Sequence, residues 1–157
     1  MADKYPLFKA IKKKDFSQIQ ELLLDSPLYQ WHPQQEKSTF HQMCEFFDKS
    51  IFTFLFNKAQ NDSNFKDQWH KKDRRGNYPQ HLLAANTKVS EKEILEAFRI
   101  LLGSFVLNLW ENLWEKNILH EDVIDIAKKT GKNKLVELIH SSHLDSRYLT
   151  NLQHELI

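Results

Sequence analysis

The stretch Gly76-Asn77-Tyr78-Pro79-Gln80-His81-Leu82-Leu83-Ala84 decides the fold, because a related pattern occurs four times along the chain. In each copy a small or apolar helix start is followed, after a turn, by a second apolar helix. The other copies begin at Pro6, Ser38 and Asp122. The copies start 33, 40 and 44 residues apart when they are aligned on Phe8, His41, His81 and Asp125. Spacings in this range are typical of helical repeat arrays, whose usual role is to hold a partner.

The composition favours one mostly helical domain. The chain has 157 residues, and 41% of them are hydrophobic, so it can bury a core. Three Gly and four Pro are too few for a β-sandwich or barrel with many tight turns. A formal charge of +1 gives no indication of nucleic acid or a membrane as partner. We find no apolar run near the about 18 residues of a membrane span, and no apolar signal peptide at the N-terminus. A cytoplasmic protein is therefore expected.

The apolar positions follow helical spacing in most of the chain. Phe16, Ile19, Leu22 and Leu23 form one stripe, and Asp15 is placed to cap that helix. Residues 28–37 and 57–75 are predicted to be connectors, the second of them polar and long. The spacing of tryptophans within 103–119 predicts an extra helical turn. Apolar residues between 144 and 156 predict a terminal helix that covers the end of the array.

These segments resemble the ankyrin repeat, whose consensus is Gly-x-Thr-Pro-Leu-His-x-Ala followed by a Val/Ile-x-x-Leu-Leu helix. The copy at Gly76 keeps the glycine, proline and histidine, with Tyr78 in place of Thr and Gln80 in place of Leu. The last copy, residues 125–139, is similar to the Leu-Asp-Ile-Ala variant common in final repeats. The copy at 39–41 keeps the histidine without the proline, and the copy at 6–10 keeps the proline without the histidine.

The resemblance implies an all-α solenoid of about four helix-turn-helix repeats in a single domain, 1–157. The repeats cover approximately 4–36, 37–72, 73–118 and 119–142, with a C-terminal cap at 143–157. In the family the histidine bridges neighbouring units, small alanines let inner helices approach, and glycine allows a positive φ before the helix. The implied function is a protein–protein interaction scaffold that binds its partner through the concave face and hairpin tips. Degenerate, lysine-rich members also suggest an effector or regulator acting in a host cytoplasm.

Three tryptophans precede the repeat helices at similar distances: Trp31, Trp69 and Trp114. Two of them are followed by histidine, His32 and His70. One interpretation is that each tryptophan packs between units. The other is that they form a row of aromatic anchors at the hairpin tips, because Trp is frequent among interface hot spots.

Residues 70–75 form the densest basic cluster of the chain. A solvated loop explains it, but Arg side chains also suit carboxylates and phosphates on an acidic partner. Direct binding of nucleic acid would need a broader basic face. The predicted partner-binding residues are Trp31, His32, Trp69, His70, Arg74, Arg75 and Trp114.

We expect no enzyme activity, metal or cofactor, because no nucleophile elbow, Walker loop, dinucleotide fingerprint or zinc-protease motif occurs. The alternative from another class is an irregular helical enzyme that uses Cys44 with a nearby His such as His41. A zinc site needs further ligands that the spacing does not offer. The expected partner is another protein, and the free chain is expected to be a monomer, although repeats that stack against further copies of the chain are a third possibility.

Overall fold

The computed structural model describes residues 4–60, 62–104 and 107–141, and most of its regular structure is helical. The helices are α1 (Pro6–Lys12), α2 (Phe16–Asp25), α3 (Thr39–Glu45), α4 (Lys49–Ala59), α5 (Phe65–Trp69), α6 (Pro79–Ala85), α7 (Glu91–Leu102), α8 (Trp110–Leu113) and α9 (Val123–Lys129). A further helix, α10, covers residues 133–141. Two short antiparallel strands, β1 (Trp31–His32) and β2 (Lys37–Ser38), pair Trp31 with Ser38. The mostly helical prediction is confirmed, and the predicted terminal helix at 143–157 lies outside the described residues.

Side-chain caps explain where several helices begin. The Asp15 carboxylate accepts the N–H of Gln18 at 3.1 Å, as its position before α2 predicts. Asp48 accepts the N–H of Ile51 at 3.0 Å before α4. Such caps satisfy N–H groups that have no partner within the helix.

The helices form two layers. The inner helices α1, α3, α6 and α9 contact one another in series. Their alanines, Ala10, Ala84 and Ala127, are buried, and a side chain of this size lets neighbouring helices approach closely. In the outer layer α2 meets α4 through the rings of Phe16 and Phe54, whose centroids are 5.3 Å apart, and α4 contacts α7. The core lies between the two layers.

An aromatic cluster fills the middle of the core and corrects one prediction. Residues 57–75 are not a polar connector throughout, because α4 continues to Ala59 and the short helix α5 follows. Helix α5 buries Phe65 and Trp69, and Trp69 stacks on Phe40 with ring centroids 4.9 Å apart. A helix of one turn carries only two apolar side chains here, too few to produce a periodic signal. The extra helical turn predicted within 103–119 is present as α8.

Candidate functional site

Three short loops precede the inner helices α3, α6 and α9 at equivalent positions. We define the first loop as residues 33–36, the second as 73–76 and the third as 117–120. Each loop ends in a residue with positive φ, which is 50° at Glu36, 75° at Gly76 and 61° at His120. The N-cap residue of the inner helix follows two positions later in every case. The three loops therefore turn the chain in the same way.

The second and third loops share one hydrogen-bond pattern and are joined to each other. Asp73 Oδ1 accepts the N–H groups of Arg75 and Asn77, both at 2.9 Å. Asn117 Oδ1 accepts the N–H groups two and four residues after it, at 2.9 and 3.1 Å. Between the loops, Asn117 Nδ2 donates to Asn77 Oδ1 at 2.9 Å, and the Ile118 N–H donates to the Arg75 carbonyl at 2.9 Å. The two loops thus form one continuous, internally bonded ridge.

Two buried histidines join the inner helices α3 and α6 to segments that follow them in the chain. The Ser38 N–H donates to His41 Nδ1 at 3.1 Å, and His41 Nε2 lies 2.9 Å from the Asn77 carbonyl. His81 repeats the arrangement, because its Nδ1 accepts from the Tyr78 N–H at 3.1 Å and its Nε2 lies 2.9 Å from the Glu115 carbonyl. Each histidine therefore caps its own helix and bonds the following segment.

This geometry requires both rings to be neutral, with the proton on Nε2. Burial lowers the pKa of His41 and of His81, which favours the neutral form. Both ring nitrogens of each histidine are already engaged in hydrogen bonds. Neither ring has a nitrogen left to act as an acid or a base toward a substrate.

The thiol of Cys44 lies inside the core. Its side chain is fully buried, and that burial raises the pKa of the thiol. A raised pKa disfavours the thiolate, which is the nucleophilic form. Since His41 is committed to Ser38 and Asn77, it is not positioned to deprotonate Cys44. Cys44 and His41, on which the enzyme alternative depends, are thus poorly arranged for catalysis.

A groove runs between the loops and the inner helices. Its first part has a volume of about 330 Å³ and lies between α1, the first loop and α3. Its second part has a volume of about 210 Å³ and lies between the first and second loops, with Leu82 of α6 in its wall. The two parts are neighbours, because Gln35, Lys37 and Glu45 line both of them.

The groove carries more positive than negative side chains. Its cations are Lys9, Lys12, Lys37, Arg74 and Arg75, and its anions are Glu45 and Asp73. The Lys37 ammonium pairs with Glu45 at 3.0 Å, and the ammonium groups of Lys12 and Lys37 lie 5.6 and 5.5 Å from the centre of the Phe46 ring. Asp73 is occupied by the backbone of its own loop. The groove therefore presents a positive surface with an aromatic ring on it.

The structure brings only some of the predicted partner-binding residues together. Arg74 and Arg75 are exposed and line the groove, and half-buried His32 lines its first part. Trp31 is 41% exposed but borders a separate depression with Pro6 and Leu22, because neighbouring residues of a strand point to opposite faces. Trp114 is exposed at the end of α8, with its ring centroid 6.3 Å from that of His140 on α10.

Trp69 and His70 do not form part of this surface, which corrects the prediction for both. Trp69 has no exposed surface, because α5 turns it into the aromatic core. His70 is half-buried, and its Nε2 lies 2.8 Å from the Leu107 carbonyl while its Nδ1 contacts Asn112. Trp69 therefore packs on the preceding helices α3 and α4, and only His70 connects α5 to the segment that follows, at Leu107 and Asn112.

Sequence reasoning missed the groove residues Lys9, Lys12, Lys37 and Phe46 and the exposed pair Ile118–Leu119. Lys12 begins the run 12–14, which by itself indicates only a solvated turn after α1, and Lys37 lies 25 residues further along the chain. Ile118 and Leu119 occupy the same loop positions as Arg74 and Arg75, because each pair stands directly before a residue with positive φ, which lies two positions before an N-cap. Aligning the loops, as well as the helices, would have brought the pair to notice.

In the ranges that the structure covers, no group of three or more His, Cys, Asp or Glu side chains could hold a metal ion. None of the helices described above is long and apolar enough to cross a membrane. A scan against models of known protein families finds no match for this chain, and a search of curated proteins finds none either.

Proposed function

We propose that this chain is an ankyrin-like helical repeat domain that binds another protein through the groove and its three loops. The observation that carries the proposal is the repeated histidine bond from one unit to the next. His41 reaches a carbonyl 36 residues ahead, and His81 reaches one 34 residues ahead. An equivalent bond at a near-constant spacing is what a stack of homologous units requires.

The first unit departs from this rule in a way that preserves the stacking. Phe8 stands where the second and third units have histidine, so α1 cannot donate a side-chain bond from that position. Instead, Gln42 Nε2 of α3 donates back to the Phe8 carbonyl at 2.9 Å. The last unit has Asp125 at the histidine position, and its carboxylate accepts the Asp122 N–H at 3.0 Å. The first departure keeps a polar contact between neighbouring helices, and the second keeps the contact that caps the helix itself.

The structure favours binding over catalysis, because its buried histidines bond to the protein itself. The buried histidines hold the units together, and Cys44 is enclosed in the core. The side chains that remain available, above all Arg74 and Arg75, lie on an open surface suited to contact with another molecule. A rigid scaffold with such a surface binds with a small loss of conformational freedom, which favours affinity.

Site-specific photo-crosslinking tests this proposal. A benzophenone amino acid is placed at Gln35, which is exposed in the groove, and in a separate variant at Lys92, which is exposed on the outer helix α7. After irradiation in cells that naturally contain the chain, we expect the Gln35 variant to yield a cross-linked protein of discrete mass and the Lys92 variant to yield none. Equal cross-linking at both positions, or cross-linking at Lys92 alone, would contradict the proposal.

A further inference from the structure

The tips of the three loops present different chemistry at equivalent backbone positions. The two residues before the positive φ are Gln34 and Gln35 in the first loop, Arg74 and Arg75 in the second, and Ile118 and Leu119 in the third. Amides, guanidinium groups and aliphatic side chains thus follow one another along the surface. A partner that spans these tips must offer a matching order of groups.

The second and third tips are held at a fixed distance from each other. The Ile118 N–H donates to the Arg75 carbonyl at 2.9 Å, and Asn117 Nδ2 donates to Asn77 Oδ1 at the same distance. A Cβ atom on Gly76 would lie 3.4 Å from the Asn117 Cα, so the two backbones are in close contact. The charged tip and the aliphatic tip therefore act as one preformed surface.

The guanidinium groups of the second tip have no partner within the described part of the chain. Arg74 and Arg75 take part in none of its ion pairs, whereas nearby Lys37 pairs with Glu45 and Lys72 with Glu115. The Asp73 carboxylate beside them accepts backbone N–H groups of the loop instead of pairing with a guanidinium group, so the two Arg side chains can attract an anion from outside the chain. Their planar forks match the two oxygens of a carboxylate.

The aliphatic side chains of the third tip are left in water. Ile118 is 62% exposed and Leu119 is 66% exposed, although most other large aliphatic residues in the described ranges are buried. Two consecutive aliphatic residues on an ordered loop form a small patch that an apolar side chain of a partner can cover. Because the patch adjoins Arg74 and Arg75, the partner needs apolar and anionic groups close together.

We propose that the partner contributes an acidic peptide segment whose carboxylates contact Arg74 and Arg75 and whose adjacent aliphatic or aromatic side chain packs on Ile118 and Leu119. This inference rests on the proposed function, since it specifies the chemistry of the protein that the groove binds. The lysines of the groove extend the positive surface along the same side, toward α1. Further acidic residues in the segment would lie over them.

Selection from a displayed library of random short peptides tests the inference. We expect the selected peptides to combine Asp or Glu with a neighbouring Leu, Ile, Phe or Trp. For the best synthetic peptide, the double variants Arg74→Gln/Arg75→Gln and Ile118→Ser/Leu119→Ser should each weaken binding about tenfold or more, the range expected for losing charge-assisted bonds or a buried anchor. The matched control Lys92→Gln/Arg99→Gln removes two charges from outer helix α7 and should leave affinity unchanged. Circular dichroism verifies that every variant is folded.

Two results would overturn the inference. One is a selection that yields neutral or basic peptides whose affinity does not depend on Arg74 and Arg75. The other is a selection that yields no binding peptide. The cross-linking comparison at Gln35 and Lys92 tests the proposed function separately. A discrete cross-link at Gln35 would support binding of a protein even if the selection gave no acidic peptide.

Discussion

Replacing His41 tests the bond between units most sharply, because its two ring nitrogens have separable roles. In His41→Leu, the Ser38 N–H loses its acceptor, and the Asn77 carbonyl loses a donor. The carbonyl keeps one other bond, from the Asp73 N–H at 2.9 Å. The buried Ser38 N–H is therefore left without an acceptor, and the Ser38 hydroxyl, which lies 2.7 Å from His41 Nδ1, loses that contact but still accepts the N–H of residue 41.

The magnitude follows mainly from the loss at the Ser38 N–H and the loss at the Asn77 carbonyl. A buried donor left without an acceptor costs about 1–3 kcal/mol, and the loss of one hydrogen bond from a still-satisfied carbonyl costs about 0.5–1.5 kcal/mol. Leucine fills much of the volume of the ring, so the cavity contribution is small. We expect His41→Leu to lower the free energy of unfolding by about 3 kcal/mol, or the midpoint temperature by about 6–12 °C.

Urea unfolding followed by circular dichroism and by tryptophan fluorescence provides the measurement. In His41→Gln, the amide oxygen can accept the Ser38 N–H as in a capping box, so the loss should be only about 1 kcal/mol. His140 is exposed on α10, and His140→Leu should change stability by less than about 0.5 kcal/mol. Equal effects of Leu and Gln at position 41, or a loss for His41→Leu below about 1 kcal/mol, would refute the reasoning.

Three further predictions follow from buried polar groups. Burial lowers the pKa of His41 and of His81 below the ordinary 6.5, so the unfolded chain binds more protons than the folded chain in mild acid. The free energy of unfolding should therefore fall as the pH falls from about 6.5 to 5. The slope should be up to about 1.4 kcal/mol per pH unit for each histidine. A flat profile of urea midpoints over that window would contradict this, since Glu96 and Glu115, whose pKa values are lowered from 4.5, affect stability only below it. Gln80 is buried, and neither polar atom of its amide has a hydrogen-bond partner in the described region. Gln80→Leu should therefore raise the free energy of unfolding by about 1–3 kcal/mol in the same urea assay. A loss of stability would show that the amide is satisfied. Cys44 should react with a thiol reagent only as fast as the protein unfolds, and rapid labelling of the folded chain would restore the enzyme alternative.

The sequence supports predictions about helices better than predictions about individual side chains of the surface. Apolar spacing and caps such as Asp15 locate α2 correctly, and the extra turn at α8 follows from the spacing of its tryptophans. These signals are local, because each depends on residues within one helix. Helix α5 was missed because it is a single turn in a polar context, and its contribution to the core comes from Phe40 and other residues distant in sequence.

In the candidate site, too, local sequence signals are predictable and contacts between distant segments are not. Arg74 and Arg75 could be selected from the sequence because they lie in its densest basic cluster, residues 70–75. Trp69 was misassigned, since whether a tryptophan next to a histidine faces solvent depends on helix α5, which the pattern did not reveal. Lys9 and Lys37 come together only when α1 packs beside the first loop. Surface composition of this kind is a tertiary property.

Hydrogen–deuterium exchange on the complex with the cross-linked partner tests the central claim most directly. The account predicts slower exchange in the peptides that cover the three loops, 33–36, 73–76 and 117–120, and unchanged exchange in the outer helices α2, α4 and α7. Slower exchange confined to the outer helices, with the three loops unaffected, would contradict it.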